Sequence, residues 1–306
     1  MLLHKAKKKR CLFAIITLLA IFNLTSYAQE GLTEKKKITR HREALSKNKL
    51  TLSEYFNAYF DENGICTAVG NDYEYKILDK NGYVKSTIKK IKKRSYIKIL
   101  DGKEYKFEEI DKNFLSLDGR YLCTIKTITQ QDTEYFNYDK KNSLSTSLST
   151  VLYFKTIDDE LLWQKRLPKK KEYNIITTYE GERTIVWGKD CLNIYDKNGK
   201  SIQNLEIYNI KDVKISPDGK TLGILMRENI NDNFEKIVFF ELENDSKLFE
   251  IKNNSCKSLE VGDKIYCNTV SFEFEEDKSI LITNLTKKDV KHFSNDGKII
   301  KIEKFE

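Results

Sequence analysis

Histidine is the scarcest chemistry-bearing residue in this 306-residue chain, with three copies. A hydrolase triad needs a base, usually His. His41 stands in a basic N-terminal segment and His292 in a terminal strand-like run, and no Gly-x-Ser-x-Gly elbow accompanies either. Both read as solvated or structural. Zinc needs clustered Cys and His, and neither Cys-x-x-Cys nor His-x-x-x-His occurs. The Asp-Asn-Gly stretches lack the alternating oxygen ligands and trailing Glu of a calcium loop. No catalytic, cofactor-binding or metal-ligating residue is therefore assigned, and no cofactor is expected. A carboxylate pair meeting from distant parts of the chain would still suffice for glycan cleavage, but 46 acidic residues give the sequence no means of choosing it.

Long apolar runs are missing as well. Leu12 to Phe22 is uncharged and apolar, too short to span a bilayer, which takes ~20 residues. It follows Lys5, Lys7, Lys8, Lys9 and Arg10 and precedes Ser26-Tyr27-Ala28, small residues at the −3 and −1 positions of a cleavage site. That is the layout of a secretory signal peptide over residues 1–28, with an uncleaved N-terminal anchor as the alternative. The expected address is export, to a periplasm or the extracellular space, with no transmembrane segment after cleavage. Removing the signal leaves 49 basic against 46 acidic groups, a charge of +3, so the basic pI gives no support for a nucleic-acid partner.

Five cysteines remain after cleavage: Cys66, Cys123, Cys191, Cys256 and Cys267. An odd count leaves at least one free or paired between chains. Cys256 and Cys267 flank a hairpin-like segment and form the one disulfide candidate in an oxidising compartment. Cys66 and Cys123 sit in apolar strand-like contexts and read as small buried hydrophobes.

Proline is rare, with two copies, and helical periodicity with capping boxes is absent after residue 60. Tyr and Phe are abundant, 17 and 16, among frequent Ile, Thr and Val, a composition that favours sheet. Residues 29–53 are polar and basic and read as a linker or a short exposed helix. From residue 54 onward, turn signals recur between short β-rich runs about every twenty residues, from Asp61-Glu62-Asn63-Gly64 to Asn295-Asp296-Gly297. Two hairpins in roughly forty residues is the size of one four-stranded propeller blade. The twelve turns predict an all-β propeller over 54–306 with about six blades, within a range of five to seven.

Two hairpin types stand out. Ser116-Leu117-Asp118-Gly119 matches Ser216-Pro217-Asp218-Gly219, and this type is expected to join a blade's inner strands. Asp79-Lys80-Asn81-Gly82 matches Asp196-Lys197-Asn198-Gly199 and is expected to join the outer two, with His292 to Ile300 as a third copy. Strict alternation from the first turn would instead make Asp118-Gly119 an outer hairpin. If likeness decides, five blades result, with an insertion at Lys126 to Val151.

Ser216-Pro217-Asp218-Gly219-Lys220 resembles the hairpin of bacterial TolB-like and YVTN-type β-propellers. Leu152 to Trp163 is similar to the quinoprotein-like propeller repeat, in which a hairpin ends in Leu-Trp. The resemblance implies a fold, and propellers carry many unrelated functions. Trp163 and Trp187 are expected to pack between blades. The function read from this combination is an exported, non-enzymatic scaffold binding a protein or an envelope glycan, with a glycan-active or quinone-dependent propeller enzyme, or an adhesin-like structural module, as alternatives. Two surfaces invite a partner: the basic runs Lys89-Lys90-Ile91-Lys92-Lys93-Arg94 and Lys169-Lys170-Lys171, and the polar stretch Thr127 to Val151, read as a long loop or loose hairpin.

Overall fold

The computed structural model describes residues 34–304 apart from 133–145, 170–171, 206, 208, 228–234, 245, 254–258, 262–263, 267–269, 276 and 286. The signal-peptide region and the Cys256/Cys267 pair lie outside the described residues. So do Lys170 and Lys171.

The described chain is all-β apart from one helix and a three-residue helical turn. Sheet one is a meander of β1 (Asn57–Phe60), β2 (Cys66–Gly70), β3 (Glu74–Leu78) and β4 (Val84–Lys89). Sheet two has five strands: β5 (Ile91–Leu100), β6 (Lys103–Leu115), β7 (Tyr121–Asp132), β8 (Thr146–Thr156) and β9 (Leu161–Leu167). Sheet three holds β10 (Asn174–Thr177), β11 (Arg183–Gly188), β12 (Cys191–Asp196) and β13 (Ser201–Leu205). Sheet four holds β14 (Ile210–Ile215), β15 (Thr221–Arg227), β16 (Glu235–Glu241) and β17 (Ser246–Asn253). A short ribbon of β18 (Leu259–Val261) and β19 (Lys264–Tyr266) precedes sheet five, made of β20 (Val270–Phe274), β21 (Ile280–Asn284), β22 (Asp289–Phe293) and β23 (Ile299–Lys304). Every strand pairs antiparallel with its chain neighbour within its sheet.

Successive sheets pack face to face because alternate residues on each strand are apolar. Ala68 and Ile77 of sheet one meet Leu115 and Leu122 of sheet two. Cys123, Ile125, Leu152 and Phe154 meet Ile175, Val186 and Tyr195 of sheet three. Ile185, Leu192 and Ile194 meet Val213, Leu222 and Ile224 of sheet four. Phe239 and Ile237 meet Phe272, Ile280 and Ile282 of sheet five. Four-stranded meanders stacked in chain order are the blade arrangement of a propeller. Here the series does not close, since no core cluster among the described residues joins sheet five to sheet one.

The blade count differs from the expected six. Five sheets form, because sheet two alone takes four of the twelve turns: Asp101-Gly102, Asp118-Gly119, the stretch around Asp139 to Asn142 outside the described residues, and Asp158-Asp159-Glu160. The likeness of Asp118-Gly119 to Asp218-Gly219 therefore outweighs strict alternation. Both turns join the first two strands of a packed unit, β6–β7 and β14–β15, and β5 is an added strand. The stretch Thr127 to Val151 is a continuous hairpin at its base, with Thr127 paired to Thr150 and Lys126 to Val151.

The two turn types are two hydrogen-bond networks. In the Ser type, the Ser116 and Ser216 hydroxyls donate to Asp118 and Asp218 at 2.5 and 2.6 Å and accept the Tyr121 and Thr221 amides at 3.0 and 2.9 Å. In the Asp type, one carboxylate oxygen of Asp79 accepts the Asn81 and Tyr83 amides, and Asp196 does the same for Asn198 and Lys200, all at 2.8–2.9 Å. Two turns cross the expected division. Asp61 runs the Asp network between β1 and β2, and Ser294 and Asp296 run the Ser network between β22 and β23.

The basic N-terminal segment is not an exposed linker throughout. Residues Glu34–Lys47 form a helix, α1, and Ala44 and Leu45 bury against Tyr55 and against Phe60, Cys66 and Val69 of sheet one. His41 is 1% exposed, with Nε2 3.0 Å from the Tyr55 carbonyl. Its role is structural.

Candidate functional site

The first-hairpin turns of the sheets sit at one end of the stack, where Asp118 joins three of them. Its backbone carbonyl accepts the Thr67 hydroxyl of sheet one at 2.6 Å, and its Oδ2 accepts the Glu180 amide of sheet three at 2.9 Å. Leu117 adds a backbone bond to the Thr177 carbonyl at 3.0 Å. Gly119 stands where a Cβ would lie 2.6 Å from the Thr67 hydroxyl, so only glycine lets the sheets approach this closely.

The Glu180 amide that Asp118 holds belongs to a strained residue. The turn between β10 and β11 runs Tyr179-Glu180-Gly181-Glu182, with Glu180 at φ 54° and Gly181 at φ 69°. Two successive left-handed residues make a type I′ turn, a site for Asn, Asp or Gly. Glutamate there costs roughly 1–2 kcal/mol, and strain of this kind concentrates at functional positions.

Glu180 and Glu182 form the rim of a cleft of about 560 Å³ between sheets two and three. Arg120 stands on the sheet-two side, and Lys197 and Asn198 come from the β12–β13 turn. The floor is aromatic. Tyr121 stacks on Phe154 at 5.3 Å and Phe154 on Trp163 at 4.9 Å, with Trp163 donating from Nε1 to the Lys197 carbonyl at 3.0 Å. Trp163 thus packs between sheets as expected, against Gly199, and Trp187 does so between sheets three and four.

Glu62 of the first turn reaches the same rim. A hydrogen bond between the Glu62 and Glu180 carboxyls, followed by their mutual repulsion, holds Glu180 protonated to a higher pH than an ordinary glutamate, and Arg120 opposes this. Arg120 bridges back to Asp61 and Glu62 at 3.5 and 3.6 Å. Burial draws the Arg120 guanidinium down, but the surrounding carboxylates raise it overall. Lys197 pairs with Glu182 at 2.8 Å, an exposed contact worth little to stability. The Glu180–Glu182 turn also walls a smaller cleft of about 330 Å³ toward Asp218, Lys220 and Glu243 of sheet four.

Reading the sequence found the turn but not the site, since Glu180-Gly181 looked like one hairpin among twelve. A bulky residue directly before Gly in a type I′ turn is the signal that was there to be read. Neither histidine belongs to the cleft. His292 lies on sheet five near Glu275 and Glu303, and His41 is on the buried side of α1, against the Tyr55 carbonyl. Of the basic runs, Lys89 to Arg94 ends β4 and opens β5, and none of it lines the cleft. Among the described residues no group of His, Cys, Asp and Glu is arranged to hold a metal, and no helix is long and apolar enough to cross a membrane.

No family model matches the chain and no curated protein matches it. Among solved structures it is similar to a eukaryotic initiation factor, at 8% identity and TM-score 0.44, covering 81% of this chain and 65% of that one. A putative 6-phosphogluconolactonase from Bacteroides fragilis aligns at 12% identity and TM-score 0.36, over 82% and 80% of the two chains. The C-terminal WD40 domain of Sif2 aligns at 11% and 0.37, over 68% and 63%. The chain thus spans less than two thirds of the length of the initiation factor. At these scores the architecture rests on the chain's own sheets.

Proposed function

We propose that this protein is an exported, non-enzymatic binding scaffold of the β-propeller type, within the broad group that includes TolB-like, YVTN-type and quinoprotein-like repeat proteins. Its turn-bearing end receives a protein or an envelope glycan in the cleft between sheets two and three. The observation that carries this reading is Glu180, held in a left-handed conformation by Asp118 and set beside Glu62 and Arg120 above a fixed aromatic floor. Lys49, Lys278 and Lys288 also take a positive φ, and what sets Glu180 apart is that a carboxylate of another sheet holds its amide at the mouth of an open cleft. The address rests on the layout of residues 1–28, and cell fractionation with a C-terminal tag tests it.

Asparagine suits the type I′ position, so Glu180→Asn relieves the strain while deleting the carboxylate. Crosslinked capture from envelope extracts should recover a partner with the wild-type chain and lose it with Glu180→Asn, whose melting temperature should equal or exceed wild type. Equal recovery by both proteins, or recovery by neither, would sink the proposal.

The enzyme alternative draws support from the meeting of Glu62 and Glu180. Glycosidase pairs, however, stand about 5 Å or more apart to flank the sugar. Glu62 is exposed and bridged to Arg120 at 3.6 Å, and Glu180 is exposed too, so neither stands in the buried apolar setting that keeps a catalytic acid protonated. The scaffold reading is the better fit.

A further inference from the structure

Sheet two carries a strand that none of the other stacked sheets has. β5 is ten residues long, lies at the edge of the sheet and pairs only with β6, from Ile91–Lys112 to Leu100–Lys103. Nine of its residues are exposed and Tyr96 is half-buried. The packing between sheets does not require it, because β6 to β9 already supply the four-stranded unit that meets sheets one and three.

Long exposed edges invite pairing with other chains, and proteins blunt them with lysine, proline or bulges. β5 has neither a proline nor a register break along its pairing with β6. Its two faces differ. Lys92, Arg94 and Lys98 lie on one, with Tyr96 between them stacked on Phe107 at 5.5 Å. Ile91, Ile97 and Ile99 lie on the other at 52%, 62% and 68% exposure. The strand contains four basic residues and no acidic one. Arg94 has a 3.7 Å contact with Asp111, and Lys98 lies over the Tyr96 and Phe107 rings. Lys92 and Lys93 make no ion pair among the described residues.

We propose that β5 is a docking edge for an extended acidic segment of a partner protein, which adds to sheet two as a sixth strand. Charge selects this occupant. A second copy of β5 would set like charges opposite each other across the seam, which destabilises strand pairing. The chain's own N-terminal stretch, with Lys5 to Arg10, is equally basic. An incoming strand with acidic residues at alternate positions places them against Lys92, Arg94 and Lys98, and the intervening apolar residues cover Ile97 and Ile99. Backbone hydrogen bonds supply affinity and the two faces supply register. The proposal names a partner chemistry for the scaffold and rests on the scaffold reading, but it uses a surface distinct from the Glu180 cleft.

The test uses purified protein and a defined probe, a capped peptide of five Glu-Val repeats, so its outcome is separate from capture through the cleft. Binding should be measurable by fluorescence anisotropy, and amide hydrogen exchange across Ile91 to Leu100 should slow when the probe is present. The double variant Lys92→Glu, Lys98→Glu should weaken the probe about tenfold, as expected for losing two cross-strand charge pairs and creating two repulsions. The same peptide N-methylated at alternate residues keeps its charge and loses its donors, and it should not bind the wild-type protein. Any of four results would overturn the proposal: unchanged exchange in β5, equal binding of the N-methylated peptide, equal binding of a glutamate decamer, or preferential binding of phosphatidylglycerol vesicles, which would make the strand an unspecific anionic-surface contact.

Discussion

Gly223 offers a direct test of how sheets four and five are joined. It sits in the middle of β15, opposite Lys214 on β14 and Phe239 on β16. A Cβ there would lie 2.4 Å from Cε2 of Phe272, 2.9 Å from its Cζ and 3.1 Å from Cε1 of Phe239. Both rings are fully buried, so neither can swing into solvent. Replacing a strand glycine with alanine ordinarily returns about 0.5–1 kcal/mol by restricting the unfolded chain. Forcing a methyl group into a packed core costs about 1–3 kcal/mol. The two ranges leave about 0–2.5 kcal/mol net, and with two atoms of a buried ring closer than a Cβ tolerates, Gly223→Ala should fall in the upper part, about 1–2.5 kcal/mol, or roughly 2–10 °C of melting temperature for a chain of this size. Reversible urea unfolding followed by tryptophan fluorescence gives the number. Adding Phe272→Leu shortens the obstructing ring, and the double-mutant cycle should show a favourable coupling of about 0.5–3 kcal/mol. A Gly223→Ala protein as stable as wild type, or a cycle without coupling, would mean that β15 and β20 do not pack as described.

Asp118→Ala removes the acceptor for the Glu180 and Arg120 amides and for the Ser116 hydroxyl, and should cost about 2–4 kcal/mol in denaturant unfolding, since stranded donors cost more than a lost bond. Burial pushes the Cys66 and Cys123 thiols up to about 12, so native iodoacetamide labelling read by peptide mass spectrometry should leave both unmodified while the half-buried Cys191 reacts. Burial lowers the pKa of His41 below its ordinary 6.5. The unfolded chain then binds the proton more readily, so its stabilising contribution is complete above pH 6.5 and declines as the pH falls toward the depressed folded value. His41→Gln should flatten that part of a stability-versus-pH curve, and an unchanged curve would remove His41 from the account. Leu45 on α1 is 3% exposed, and Leu45→Ala should cost about 2–5 kcal/mol by thermal or urea unfolding, against the near-zero effect expected of a surface helix.

What could be read in the sequence was whatever local chemistry dictates. Asp79-Lys80-Asn81-Gly82 and Asp196-Lys197-Asn198-Gly199 form the same turn because an aspartate two residues before asparagine can accept two backbone amides, and glycine accepts the left-handed position that follows. The burial of Cys123 followed from its apolar neighbours, and the interlayer place of Trp163 from the propeller resemblance. The blade number did not, because β5 adds a strand with the same turn spacing as a new blade, and only pairing distinguishes the two. The cleft was hidden for a different reason. Glu62, Arg120, Glu180 and Lys197 lie on three sheets, and nothing local to any of them announces the others.

The helix explains how an unclosed series of sheets can end cleanly. In sheets three and five, the glycine of the outer-strand turn fits beneath an aromatic ring of the preceding sheet. A Cβ on Gly199 would meet Trp163 of β9 at 2.7 Å, and one on Gly297 would meet Phe249 of β17 at 2.6 Å. Among the described residues no sheet precedes sheet one, and its outer turn is held by α1. Lys47 packs its stem against Gly82 and donates to the Asn81 carbonyl at 3.1 Å, while Asn48, just past the helix, donates to the Gly82 carbonyl and accepts the Val84 amide, each at 2.8 Å. On the same side, Ala44 and Leu45 cover Cys66 and Val69, as a neighbouring sheet would. The helix thus stands in for a blade. Its buried stripe is only half apolar, with His41 and Lys37 one and two turns before Ala44 and Leu45, and the residues between them face water wholly or in part.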